Sequence, residues 1–548
     1  MNFGGYMKKI KYKRVLASML SAALLFGAVG CGEQSQKKEE KKNVFTVTNL
    51  EKPKECQDNY RNYYEIFVYS FCDSDGDGIG DLNGVIQKLD YIKDMGFNGI
   101  WMMPIMPSTT YHKYDVTDYY SIDPEYGTLD DYKALLKAAK EKNIKIIIDL
   151  PINHTSAKNP WFTELQNYLI SLKDGEKPSV KDCKYLDYYN LSTEQKDSAW
   201  YAIGDGKHYY EGMFWDQMPD LNLDSKEVKT ELEKVMDFWL DMGTDGFRLD
   251  AVKEFYSGQS SKNEKALEWI VKHVKQKNPD AYLVAEIWEN FSSFSQYYKS
   301  GIDSIFNYEY GSTAGKIISA VQSPIANGAK LAKTIEKDNA AIRELNPDAM
   351  DAVFINNHDN ARTCGAVASN EDKMKMAGGI SLMLSGCTFT YYGEEIGMAG
   401  SGKDENLRAP MLWSKEDKTG MTNGPLEMES QEQLFDGVDK QEKEDTSILN
   451  YYKKALWMRN TYPEIARGSE KAVDAGNDFV CAIEKEYEGK KTLVICNVET
   501  DAADLDLKKM GYEGYKVTQQ LLTNETEATL KDGNLYMPAY AIVYLTQE

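Results

Sequence analysis

Two patterns in the chain predict a (β/α)8 TIM barrel, an α/β fold, with an excursion domain after strand 3 and a C-terminal antiparallel β-sandwich. Short continuous apolar runs alternate with amphipathic stretches of helical period, the mark of parallel strands buried on both faces. The alternation is interrupted once, after the third run, and near residue 468 it gives way to short strands separated by turns. The 548 residues suffice for two or three domains and a large core.

The N-terminus reads as a signal peptide over residues 1–30. Lys8, Lys9, Lys11, Lys13 and Arg14 precede an apolar run at 15–29 that is too short to span a bilayer. Met7, just before the basic region, is a plausible start. Ala28-Val29-Gly30-Cys31 resembles a bacterial lipoprotein processing site, with Cys31 as the lipidated residue and 31–58 as anchor and flexible tether. Ala28 stands where Leu is usual, so simple secretion is the alternative. The expected location is the cell surface, with membrane contact only through the lipid. The other seven Cys are scattered without C-x-x-C spacing, which gives no zinc signature; a Cys481–Cys496 bridge is left open.

The barrel is expected over 59–154 and 223–467. Its strands are read at 64–71, 97–105, 144–154, 245–250, 282–286, 304–307, 352–356 and 388–391. Reactive groups in such a barrel lie at the strands' C-terminal ends. Residues 155–222, rich in Tyr, Asp, Lys and Trp and lacking long periodicity, form the excursion domain at that rim, and 468–548 form the sandwich. A net charge of −22 excludes a nucleic-acid partner and fits a neutral substrate; the 37 Tyr suit the flat faces of sugars.

Three acids fall at strand ends. Arg248 and Asp250 are two apart on one strand and share a face, where a guanidinium keeps its neighbouring carboxylate ionised, as a covalent nucleophile requires. Glu286, beside Ile287 and Trp288, is in apolar surroundings that favour a protonated general acid. Asp359 follows His358 at the end of the seventh strand. Gathering three carboxyls is costly unless a developing positive charge is to be stabilised, as in glycoside cleavage. His112 and Tyr114 after the second strand, and Asn153 and His154 after the third, are placed to meet a sugar. Asp73, Asp75, Asp77 and Asp81, with the carbonyl of Ile79, form a Gly-rich acidic loop suited to a structural Ca²⁺; Gly84 at the last position rules out an EF-hand.

The runs DLPINH, GFRLDAVKE, AEIW and FINNHD, in this order, resemble the four main conserved regions of the α-amylase superfamily of retaining α-glucoside hydrolases. The resemblance implies Asp250 as nucleophile, Glu286 as acid/base and Asp359 as the residue gripping the sugar's 2- and 3-hydroxyls. It implies Arg248 as holder of the nucleophile, His154 and His358 as ligands of the same sugar, Tyr114 as its stacking platform and Lys253 as a contact beyond the cleavage point. Arg408, in RAPMLW, is counted with the substrate contacts. Glu254 departs from the His common there, whose carbonyl, with the Asn matching Asn153, helps hold a calcium in many amylases. QMPDLN resembles a region intermediate between oligo-1,6-glucosidases and neopullulanases. The expectation is a monomeric α-amylase acting on internal α-1,4 bonds of starch or maltodextrin, with exo-α-glucosidase or neopullulanase/cyclomaltodextrinase as alternative. A non-catalytic starch-binding lipoprotein is the reading from a different class.

Overall fold

The structure, a computed structural model, describes residues 43–322 and 327–547. The signal peptide and Cys31 lie outside the described residues. Among these, no helix is long and apolar enough to cross a membrane.

Eight parallel strands form the central sheet: β1 (Asn62–Ile66), β2 (Gly99–Met102), β3 (Lys145–Leu150), β4 (Gly246–Leu249), β5 (Tyr282–Ala285), β6 (Ser304–Ile305), β7 (Ala352–Val353) and β8 (Cys387–Tyr391). They pair in the order β7-β8-β1-β2-β3-β4-β5-β6. A parallel bridge from Phe306 to Ala352 joins the last strand to the first and closes the ring. All eight expected strands are present, but the early ones are shorter. Pro104 and Pro151 lack the N–H a ladder needs, so β2 and β3 end before them. β1 stops at Ile66 because Val68–Ser70 turn into a short 3-10 helix.

Side-chain alternation divides the core in two. Outward residues such as Tyr64, Ile100, Ile148 and Leu249 pack under the surrounding helices. Inward Tyr63, Trp101, Ile147, Tyr282, Phe306 and Phe389 fill the barrel, with Tyr63 stacked between Tyr282 (5.1 Å) and Phe389 (4.9 Å). Further along the strands, the same inward face carries Glu65, Asp149, Arg248 and Glu286. An apolar plug thus supports a layer of charge. Close approach of β4 to β5 depends on Gly246: a Cβ there would lie 1.9 Å from the Tyr282 carbonyl oxygen.

The excursion segment holds a three-stranded antiparallel sheet (Leu191–Ser192, Trp200–Ala202, Tyr209–Glu211). It also contains the helix Pro160–Ser171, which the reading of no long periodicity overlooked. Its cues are Asn159 capping the Trp161 N–H, Pro160 in the first turn, and Phe162, Leu165 and Leu169 buried on one face. C-terminally, a five-stranded and a three-stranded antiparallel sheet enclose their own core of Val480, Leu493, Ile495, Leu535, Val543 and Leu545. Cys481 and Cys496 are directly opposed across two of these strands, as free thiols.

Candidate active site

Asp250, Glu286 and Asp359 line one cleft of about 1360 Å³ at the C-terminal end of the barrel. Beneath two of them is Arg248, 1% exposed. Its Nη1 donates to both oxygens of Asp149 (2.9 and 3.0 Å) and to Asp250, and its Nη2 is 3.5 Å from Glu286 Oε2. Burial pushes the Asp149 carboxyl up to about 7 even with Arg248 drawing it down, and both of its oxygens accept from the guanidinium.

Chain geometry ties the acid to the nucleophile's turn. Ala251, directly after Asp250, adopts a left-handed conformation (φ 46°, ψ 39°), which costs a non-glycine residue roughly 1–2 kcal/mol. In return its N–H donates to Glu286 Oε2 at 2.8 Å. Burial raises the Glu286 pKa, against Arg248; the charges of Asp250 and Asp359 add to the rise. The direction is the one AEIW led us to expect, but the apolar cause is different. Ile287 is buried in the packing behind, and Trp288 is 44% exposed, stacked on Tyr308 at 4.9 Å. Depth in the cleft, rather than the flanking side chains, desolvates the acid.

Asp359 keeps 31% side-chain exposure. Burial raises its pKa, but His358, Arg408 and Arg248 together hold it well below the ordinary range. Arg408 Nη2 is 3.1 Å from Asp359 Oδ1, and its Nη1 pairs with Asp404. His358 itself is fully buried behind Asp359 and Tyr114, and its ring stacks on Tyr114 at 5.6 Å.

The remaining predicted residues divide. Tyr114, His112, His154, Lys253 and Arg408 line the cleft. Burial lowers the His112 pKa to about 4, leaving the ring neutral, and its Nδ1 accepts the Tyr114 N–H (3.2 Å). His154 is buried at the edge of the same space, and burial lowers its pKa. Asn153 is not among the lining residues: its amide turns away and donates to Asp220 of the excursion segment (3.2 Å). Arg248 and His358 act from behind the lining. Residues to which sequence reasoning gave no role are Glu65, Asp149, Tyr308, Asp404 and Trp215. Of these, Glu65 and Asp149 carried a signal, as acids at inward positions of apolar strands.

In the acidic loop, Asp73, Asp75 and Asp81 bring carboxylate oxygens within 4.8 Å of one another. Asp77 does not join them: its exposed carboxylate accepts the Ile79 N–H (2.7 Å) instead. Gly84 has a physical reason to stand where an EF-hand has Glu, since a Cβ there would lie 1.9 Å from the Cys72 carbonyl oxygen.

Residues 65–468 match the α-amylase catalytic-domain family. The chain belongs to the α-amylase family. It is a glycoside hydrolase of (β/α)8 architecture. It is 40% identical to "Alpha-amylase 3" of Dictyoglomus thermophilum over 445 residues, 80% of this chain and 85% of that protein. Among solved structures it resembles Eubacterium rectale Amy13B (42% identity, TM-score 0.87, 91% and 98% of the two chains). It also resembles the α-amylase from H. orenii (34% identity, TM-score 0.78, 89% and 99%).

Proposed function

We propose that this α-amylase family member is a retaining α-amylase cutting internal α-1,4 bonds of starch and maltodextrins. The observation that carries the reading is the extent of the cleft. Besides the three acids it is lined by Tyr111, Asp404, Leu426, Trp288, Lys253 and Trp215. Its 1360 Å³ exceeds the about 300–1,000 Å³ of ordinary small-molecule sites, giving room for sugars on both sides of the scissile bond.

Glu286, its pKa raised by burial, donates its proton to the glycosidic oxygen as the bond to the anomeric carbon breaks. Asp250, steered by Arg248, attacks that carbon from the opposite face and forms an ester. Water then gives a proton to the Glu286 carboxylate and attacks the same carbon; Asp250 departs, and the α-configuration is restored. Asp359 binds the sugar hydroxyls. In both displacements the oxocarbenium-like charge develops among carboxylates already in place.

Calcium belongs to the proposal as a structural ion. Three carboxylates converging in a tight loop form the hard-oxygen donor set that Ca²⁺ takes, and Asp73, Asp75 and Asp81 would hold it. Bound there, the ion neutralises the loop's charge and ties it down. Export as a lipoprotein through Cys31, in monomeric form, completes the proposal on the sequence alone.

Products from amylose, pullulan and cyclodextrin test the assignment. Mixed maltooligosaccharides at the first time point, with α-anomeric reducing ends by NMR, are expected. Glucose alone from the outset would refute internal cleavage, and initial β-anomers would refute retention.

A further inference from the structure

Glu65 is a carboxylate on the inward face of β1, 1% exposed, and no part of the displacement described above uses it. Its Oε1 lies 2.6 Å from His358 Nδ1 and 3.4 Å from the His358 backbone nitrogen. On the other side of the ring, Nε2 is 2.8 Å from Tyr114 Oη and 2.9 Å from Asp359 Oδ2.

Counting protons along this chain fixes the state of the histidine. Asp149, bonded by Arg248 at both oxygens, is an acceptor, so the single Tyr114 proton is donated to it (2.9 Å). Burial raises the Tyr114 hydroxyl well above its ordinary value, so that proton stays in place. Tyr114 Oη must then accept from His358, and Nε2 carries a proton. Asp359 Oδ2 also needs a donor from the same nitrogen. Glu65 Oε1 already takes the His358 backbone N–H, so it serves as acceptor and Nδ1 carries the second. The groups facing the ring are Glu65 from β1, Tyr114 from the segment after β2, Asp359 from its own loop and the edge of Trp101 (5.6 Å), with Asp149 and Arg248 one bond further away.

We propose that Glu65 is a positioning residue: its buried carboxylate holds His358 as a doubly protonated imidazolium, which orients Asp359 and Tyr114 toward the sugar. The part played by Asp359 and Tyr114 rests on the glycosidase reading; the protonation state does not. Burial lowers the imidazole pKa, but Asp359 and Glu65 outweigh it and lift it to about 9, in line with the proton count. Replacing Glu65 by Gln keeps an acceptor of the same shape and removes the charge. An opposite charge in contact shifts a pKa by about one to three units.

The protein has 5 His, so ¹⁵N-histidine labelling gives few imidazole signals, and His358→Asn identifies the one sought. Without substrate, the His358 ring of the wild type is expected to stay doubly protonated through neutral pH and to titrate near 9. In Glu65→Gln it is expected to titrate at least about one unit lower, and kcat/KM is expected to fall about tenfold per pH unit above that new value. A neutral His358 ring at pH 7 in the wild type, or an unchanged titration in Glu65→Gln, overturns the proposal. The wild-type spectrum decides even if the variant does not fold, and it is read independently of where any glucan is cut.

Discussion

Arg248→Lys tests how the barrel's charged layer is held. The guanidinium serves Asp149 through two oxygens and Asp250 through Nη1, and it reaches toward Glu286 with Nη2 at 3.5 Å. Lysine has no planar fork, so its one nitrogen cannot both stand where Nη1 meets Asp149 and Asp250 and reach Glu286 as Nη2 does. Either way a buried carboxylate is left short of its partner, and breaking a buried pair costs about 3–5 kcal/mol. Some of that cost appears as lost stability. The rest appears as a misplaced or protonated nucleophile, and about 2.7 kcal/mol already corresponds to about 100-fold in kcat/KM. Because the nucleophile is affected more than the distant sugar contacts, the loss is expected mainly in kcat. The assay is kcat and KM on a maltooligosaccharide with a chromogenic leaving group, alongside thermal unfolding. An Arg248→Lys enzyme within about fivefold of wild-type kcat/KM and unchanged in Tm would refute the argument, since about 1 kcal/mol is too little for a buried three-carboxylate hub.

His358 predicts a pH dependence of stability with a definite sign. Its folded pKa, about 9, is raised above the 6.5 of the unfolded chain, so its contribution is fully present below pH 6.5 and lost as pH rises through 9. The gap is worth roughly 3 kcal/mol, and denaturant unfolding between pH 6.5 and 9.5 should show that loss in wild type and less of it in His358→Asn. Removing Ca²⁺ is expected to lower Tm. At a free ion concentration 100 times its Kd, binding adds about 2.7 kcal/mol, so chelation should be reversed by Ca²⁺. Asp75→Ala, at an exposed position of the loop, should lose this response while keeping the fold; a Tm that ignores chelator in both proteins would sink the site.

Much of this protein was legible before folding was considered. Strand periodicity gives the eight-fold alternation, and acids at strand ends are conspicuous because apolar runs tolerate charge only for cause. Asp250, Glu286 and Asp359 are legible for that reason. Glu65 and Asp149 obey the same rule, but their partners, His358 and Arg248, lie far away in the chain. The excursion helix was missed because its apolar stripe of Phe162, Leu165 and Leu169 is short and polar residues surround it. Asn153 was misplaced for another reason. A residue next to His154 was read as sharing its direction, and only the packing of Asp220 against it turned the amide away from the cleft.

The chain alone determined which residue types were available and at which ends of which strands, since hydrophobic alternation and local turn chemistry act over a few neighbours. Tertiary structure decided which of them meet. It placed one guanidinium under three carboxyls, gave Glu286 its depth, put His358 between two acids, and left Asp77 in solvent while Asp73, Asp75 and Asp81 converged. Electrostatic energy depends on separation and burial, and both are set only when the barrel closes.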